Sequence, residues 1–395
     1  QRAAESIPVE PGSIENIRAT LPYLLEGQQD DVAKAEARFA KPDGYGMLFT
    51  NGTGTGKTFI GLGVVKRFQR QGKTNVLIVA PSDKIMSDWI KSGVPLGLDI
   101  TALANTGDAG RGIVVTTYAN LGQNDALAKR EWDLIVADEA HYFMRSKDGA
   151  KTAALEALRA IALHPDGYMQ RADMLNRDLV DRGYQLSEAA ALARKSDDQR
   201  EWARAEGLQS QANAVFAELK AKRDQMQSDV LAKQGAARPR AVFLSATPFA
   251  YEKTVDWAQG FLFTYQESKG GGYNSPDSFG AFMMSNFGYR MRYGKLTAPE
   301  AGVDSGLMQR MFNTRLKREG VLSGRRLDVA ADYSRNFVLV ESAIGRRIDQ
   351  AMEWMRENDS TSEISEKLRK SFDYLARRYT LEALKARESV ELIRE

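Results

Sequence analysis

Residues 50–58 read Thr50-Asn51-Gly52-Thr53-Gly54-Thr55-Gly56-Lys57-Thr58, directly after the apolar run Gly46-Met47-Leu48-Phe49. The apolar run predicts a buried strand. Residues 59–68, apolar at helical spacing with Gly72 beyond them, predict a helix. Between the two, glycines let the backbone curl until successive N–H groups converge on a phosphate, with the helix N-terminus behind them. Lys57 is then placed to reach β- and γ-phosphates, and the Thr58 hydroxyl to ligate Mg²⁺. Strand, glycine-rich loop and helix together imply a nucleoside triphosphate site at Asn51, Gly52, Thr53, Gly54, Thr55, Gly56, Lys57 and Thr58. The strict pattern asks for glycine where Asn51 stands, and Gly54 supplies the freedom instead.

Further along, Asp138-Glu139-Ala140-His141 closes the apolar run 132–137. The carboxyl end of a strand in an open α/β sheet is where such folds hold ligands. Asp138 is expected to hold Mg²⁺, and Glu139 to orient and deprotonate an attacking water. A lone Asp-Glu pair would read as an acidic cap, but the phosphate loop upstream decides against that here.

With 395 residues the chain exceeds one ordinary domain. It has no cysteine and two histidines, which excludes thiol catalysis, disulfide staples and zinc clusters and leaves a Ser-His-Asp hydrolase little to work with. A reducing cytoplasm is compatible with this. The net charge of +3 permits nucleic acid as a partner without demanding it. No apolar stretch approaches the roughly 20 residues that cross a bilayer, and no signal peptide opens the chain, so no membrane role is expected. The chain opens on Gln1 and closes inside a helical pattern, and is expected to be a piece of something longer.

The predicted organisation starts with a Pro- and polar-rich extended arm over 1–20. Residues 21–163 form the first part of a doubly wound lobe, with a helix over 21–39 and strands at 47–50, 75–80, 99–103, 112–116 and 132–137. These strands are short continuous apolar runs, the mark of a parallel sheet covered on both faces. Residues 164–240 read as a helical insertion. Tyr168, Ala172, Leu175 and Leu179 make one stripe, Trp202, Ala205, Leu208, Ala212, Val215, Leu219 and Met226 another, with Ser187 as an N-cap between them. It is a solvated hairpin or an arm that docks DNA or a partner.

Residues 241–260 carry the last strand, at 241–245. Residues 261–340 read as an irregular extension with a flexible Gly270-Gly271-Gly272. Within it, aromatics interleave with bases from Phe287 to Lys295, where Arg290 and Arg292 suit phosphate contact, although an ordinary strand fits as well. Arg310, Arg315, Lys317, Arg318, Arg325 and Arg326 add a basic cluster. Residues 341–395 read as a helical connector, with Ser360-Thr361-Ser362-Glu363 as a capping box.

In this order the motifs resemble the first RecA-like lobe of superfamily-2 helicases and translocases. The resemblance implies a P-loop NTPase fold, ATP and Mg as cofactors, and an ATP hydrolase of the DNA helicase or translocase type. It gives Gln28 as an adenine reader and Asp138 to His141 as the DEAH box. It gives Ser245, Ala246 and Thr247, with His141, as the link between hydrolysis and movement. Val79-Ala80-Pro81-Ser82 with Trp89, and Val115-Thr116-Thr117-Tyr118, resemble motifs that touch the nucleic-acid backbone, so Ser82, Thr116, Thr117 and Tyr118 become contact candidates. The run 132–141 and the Thr-Thr-Tyr are similar to double-strand translocases, which points to duplex DNA.

Leu24-Leu25-Glu26-Gly27-Gln28 and residues 289–327 resemble strawberry notch-type ATPases. Such domains occur in large phage and bacterial proteins with a methyltransferase module, some of them antirestriction proteins. The chain itself has no Asn/Asp-Pro-Pro-Tyr/Phe methyltransferase motif. The resemblance also implies a second RecA-like lobe that supplies an arginine finger through Gln-x-x-Gly-Arg-x-x-Arg. No such motif follows Ser245, and Ser323-Gly324-Arg325-Arg326 lacks the glutamine and is expected to lack a preceding strand–helix unit. Two other readings stand beside the motor: an ATP-binding switch or scaffold, and the motor subunit of a restriction or modification complex.

Overall fold

The computed structural model describes residues 2–52, 55–143, 151–249, 252–265, 278–293, 295–299 and 305–324, and beyond these residues 346, 347, 350, 353, 354, 357 and 379. Nine strands run as β1 Gly46–Phe49, β2 Val76–Ala80, β3 Ile100–Ala102, β4 Ile113–Thr117, β5 Leu134–Asp138, β6 Arg240–Leu244, β7 Arg290–Arg292, β8 Lys295–Thr297 and β9 Leu322–Ser323. Seven form one sheet in the order β3-β4-β2-β5-β6-β1-β9, parallel at every pairing. The helices are α1 Arg2–Glu5, α2 Ile14–Thr20, α3 Glu26–Phe39, α4 Lys57–Arg70, α5 Asp83–Gly93, α6 Tyr118–Gln123, α7 Ala153–Ile161, α8 Tyr168–Leu175, α9 Arg177–Ala193, α10 Gln199–Ala232, α11 Ser278–Phe287 and α12 Ser305–Arg318.

The continuous apolar strands are explained by alternation between two buried faces. Met47, Phe49, Ile78, Val136 and Val242 point into one core with Val32, Ile60, Val64 and Trp89 from α3, α4 and α5. Leu48, Val79, Ile135, Ala137 and Phe243 point into the other with Leu121, Leu158, Phe282 and Phe312 from α6, α7, α11 and α12. This is a doubly wound, RecA-like α/β lobe. All six strands expected from apolar runs are present.

Several expectations are corrected. Residues 1–20 are not an extended arm: α1 and α2 pack on the lobe, and Ile17 is fully buried. The cause is Arg67 of α4. Its buried guanidinium needs acceptors and takes Glu36 at 2.6 Å, Asn16 at 2.6 Å, Thr20 at 2.9 Å and the Glu10 carbonyl at 2.9 Å. The helix expected from residue 21 starts at Glu26, because Gln28 caps it through the Leu25 N–H. Ser187 is no N-cap; it lies inside α9, and the chain breaks at Asn176 instead. The insertion is nevertheless a helical pair, α9 on α10, between β5 and β6. Trp202 leaves its expected stripe to stand exposed, with Nε1–H donating to Ser196 at 2.7 Å.

The largest correction concerns 261–340. The described residues among 278–323 return to the lobe, where Phe282, Phe287, Phe312 and Leu316 enter the core and β9 becomes the seventh strand beside β1. The last strand of the lobe is therefore β9 rather than 241–245, and Ser323 does follow a helix and sits on a strand. Gly270-Gly271-Gly272, Arg325 and Arg326 lie outside the described residues, as does the capping box at 360–363. Residues Gln1–Leu327 form one compact unit and Asp328–Glu395 a second, whose described residues are helical.

Candidate nucleotide site

β1 ends at Phe49 and α4 begins at Lys57, with Gly56 as its N-cap at φ 75° and no side chain bonded across the cap. An uncapped helix start with glycine in the left-handed region leaves backbone N–H groups available to an anion. A Cβ on Gly56 would overlap the Gln28 amide nitrogen, so a larger residue would have to displace the Gln28 brace and adopt a strained φ as well. Gln28 is nearly buried and braces the loop: Oε1 accepts from the Leu25 N–H at 3.0 Å and Nε2 donates to the Thr55 carbonyl at 3.3 Å. Lys57 Nζ donates to the Asn51 carbonyl at 3.0 Å. A phosphate oxygen is the stronger acceptor and would displace that contact. Gly52 and Thr55 are held together by the Thr55 hydroxyl, which donates to the Gly52 carbonyl at 2.7 Å. Thr58 lies in the first turn of α4; Thr53 and Gly54 lie outside the described residues.

Beneath the loop lies a network that the sequence reading missed. Asp31 of α3 has no exposed surface. Its carboxylate accepts from the Asn51 amide at 2.9 Å, the Ser323 hydroxyl at 2.9 Å and Lys34 at 3.2 Å. The Ser323 carbonyl accepts from the Thr50 N–H. One buried carboxylate thus fixes the start of the phosphate loop to both α3 and the last strand. The available signal was an acidic residue one position before the buried Val32. Replacing Asp31 with Ala takes the acceptor from two buried donors, each worth about 1–3 kcal/mol. A denaturant melt is expected to show a loss of about 2 kcal/mol or more, and ATP affinity to fall with it.

Asp138 ends β5, and its Oδ2 accepts from the fully buried Trp89 Nε1–H at 2.9 Å. Its backbone carbonyl accepts from the Tyr118 hydroxyl at 2.7 Å. Burial raises the Asp138 pKa and neighbouring Glu139 adds to this; the Trp89 bond and Lys57 oppose it. A carboxyl whose folded pKa is raised favours the fold at low pH, and that contribution is lost as pH rises through the folded value. At neutral pH the ionised Asp138 is therefore a cost, which a bound cation would offset. Asp138→Asn is expected to raise the thermal midpoint at pH 7 without nucleotide, with the gain shrinking as pH falls through the raised folded value and gone below the ordinary aspartate value of 3.8.

Glu139 takes a left-handed backbone, φ 55°, rare for a non-glycine residue and costing on the order of 1–3 kcal/mol. The turn carries its carboxylate to His141, whose Nδ1 lies 3.2 Å from Glu139 Oε2 and 3.3 Å from Ser245 Oγ. The Thr247 N–H in turn donates to Ser245 Oγ at 3.3 Å. Ser245 is buried, whereas Ala246 and Thr247 are exposed. Of the residues expected to link hydrolysis to movement, His141, Ser245 and Thr247 form one chain of contacts with Glu139, from the end of β5 to the segment after β6; Ala246 lies exposed between Ser245 and Thr247.

The expected nucleic-acid contacts separate into two groups. Trp89, Thr116 and Tyr118 are buried and committed inward: Thr116 Oγ1 donates to the Leu103 carbonyl at 3.0 Å, and Tyr118 and Trp89 both hold Asp138. Trp89 and Tyr118 thus shape the acidic site from behind, while the Thr116 hydroxyl is taken up by the Leu103 carbonyl. Ser82 and Thr117 cap α5 and α6 at the sheet's carboxyl edge, and Ser82 is exposed. Arg290 and Arg292 stand exposed on the antiparallel pair β7–β8.

Among the described residues no group of three or more His, Cys, Asp or Glu could hold a metal alone. The donor set of Thr58 and Asp138 suits a hard cation that keeps waters and takes phosphate oxygens.

Residues 23–165, less than half of the chain, match the family described as "Type III restriction enzyme, res subunit". The matched stretch holds Gln28, the phosphate loop and the Asp-Glu-Ala-His run, and it is helicase-like in sequence as it is RecA-like in fold. No curated protein matches the chain. Among solved structures, the Sulfolobus solfataricus SWI2/SNF2 ATPase core in complex with dsDNA is similar at 13% identity and a TM-score of 0.38, over 76% of this chain and 44% of that one. The chain thus spans under half the length of that protein.

Proposed function

We propose that this chain is the ATP-hydrolysing lobe of a nucleic-acid motor, acting on duplex DNA. The observation that carries the reading is the convergence, at one sheet edge, of an uncapped glycine-started helix with Lys57, the Asp138 carboxylate, and a contact chain leading from Glu139 to Ser245. The triphosphate would lie on the N–H groups opening α4, with Lys57 leaving Asn51 for the β- and γ-phosphates and Gln28 at the base. Bound Mg²⁺ at Thr58 and Asp138 would neutralise charge developing on the phosphates. Glu139 takes the proton of the attacking water. His141 and Ser245 report the state of Glu139 to the exposed Ala246–Thr247 turn. The restriction-subunit match of residues 23–165 supports DNA as the polymer.

The finer reading is a strawberry notch-type ATPase within a larger DNA-processing or antirestriction protein, with a methyltransferase module and a second RecA-like lobe. That lobe would bring the arginine that steadies the transition state, worth about 10³–10⁵ in rate. The lobe described here would turn ATP over slowly by itself, and a second lobe would make turnover faster and DNA-dependent. The reading as a switch or scaffold differs in one measurable respect. A motor's affinity for DNA changes with the bound nucleotide, and by reciprocity DNA changes its affinity for nucleotide. Fluorescence anisotropy of a labelled duplex, with ATP, with ADP and without nucleotide, is expected to give different dissociation constants. Equal constants in all three states would favour the scaffold and count against the motor.

A further inference from the structure

The strands β7 and β8 form a two-stranded ribbon of their own, apart from the main sheet. Its root is fixed: Phe287 and Tyr289 are buried just before it, and Leu296 packs against the core. Arg292 pairs with Lys295, so two residues of the sequence join the paired positions. The first of these residues is Tyr293, at φ 50° and 104% exposed. Two-residue hairpin turns that match the strand twist require positive φ at this position, and Asn, Asp or Gly adopt it at least cost. For a bulky aromatic it is an outlier. A ring has thus been placed in open solvent where both hydrophobicity and turn chemistry disfavour it. Exposed around it on the ribbon are Arg290, Arg292 and Lys295.

We propose that Tyr293 is a base-stacking tip, whose ring stacks on an unpaired nucleobase of single-stranded DNA while Arg290, Arg292 and Lys295 face the phosphates. The proposal rests on the nucleic-acid reading above and adds to backbone contact along the duplex a base contact with a single strand next to it. An aromatic face flanked by cations matches a base with its phosphates, because every base offers a π-face and each phosphate a charge. An apolar protein pocket taking the same ring would leave three cations to be desolvated beside it.

Tyr293→Asn decides the matter, because it changes folding and binding in opposite directions. Asparagine suits positive φ, so the variant should melt at or above the wild-type temperature. Titrated against a single-stranded DNA oligonucleotide containing 2-aminopurine, it should bind about ten-fold more weakly. The salt dependence should not change, since no phosphate contact is lost. Tyr293→Phe should bind as wild type, and a blunt duplex of the same length should not distinguish Tyr293→Asn from wild type. Equal affinity of Tyr293→Asn and wild type for the single strand would overturn the proposal, as would equal weakening on the duplex. A lower melting temperature would contradict the strain argument. If wild type binds neither DNA, the nucleic-acid reading falls and takes this proposal with it; if only the Tyr293 effect is missing, the reading stands.

Discussion

Replacing Glu139 with glutamine is expected to leave ATP bound and to stop its hydrolysis. Glu139 directly follows the buried strand end at Asp138, and its left-handed backbone aims the carboxylate along the sheet edge toward His141. The contacts that would hold the triphosphate in the ground state come from other residues: the N-terminus of α4, Lys57 and the Gln28 brace. Only in the transition state does Glu139 gain a role, as acceptor of the water's proton, and a glutamine of the same shape cannot take it. Positioned proton transfer contributes about 10²–10⁴ in rate. Phosphate release under single-turnover conditions should fall by roughly that factor, with the ATP dissociation constant unchanged. Hydrolysis at the parent rate would remove Glu139 from the chemistry.

Lys57→Ala is expected to act one step earlier, on binding. The Lys57 ammonium sits 3.0 Å from the Asn51 carbonyl, poised over the loop whose other side is the start of α4. Hydrogen bonds to charged partners are worth about 1.5–3 kcal/mol each, so losing one or two costs on the order of 10²-fold in affinity. Among the described residues the fold gives up one bond to a loop carbonyl and a favourable charge interaction with Asp138, so the melting temperature of the free protein should fall only slightly. Calorimetric titration with MgATP checks both points. Undiminished affinity would mean that the triphosphate binds elsewhere.

How much of this could be read from the sequence follows from how local each feature is. The phosphate loop, six strands and the Asp138–Glu139 pair are each written in fewer than about ten consecutive residues, so pattern alone exposes them. β9 escaped because two residues, Leu322 and Ser323, carry no periodicity; the strand exists only because β1 offers it an edge. Asp31 escaped for a similar reason, since its partners Asn51 and Ser323 lie far away in the chain. The hydroxyls of Thr116 and Tyr118 looked like surface contacts because a motif records order and not direction; the pleat of β4 turned Thr116 inward, and the first turn of α6 carries the Tyr118 hydroxyl to the Asp138 carbonyl. Arg67 pulled an apparently extended arm into helices by a demand for acceptors that composition cannot display.

The central claim is that the edge formed by the β1 loop and the end of β5 cleaves ATP with Mg²⁺. Single-turnover cleavage of γ-labelled ATP, with protein in excess, tests it most directly because it detects even slow chemistry. The expected result is complete conversion to ADP and phosphate that requires Mg²⁺ and is lost in Glu139→Gln, while ATP remains bound in that variant. Intact ATP after prolonged incubation of the wild-type protein, or cleavage that proceeds equally well in Glu139→Gln, would contradict it.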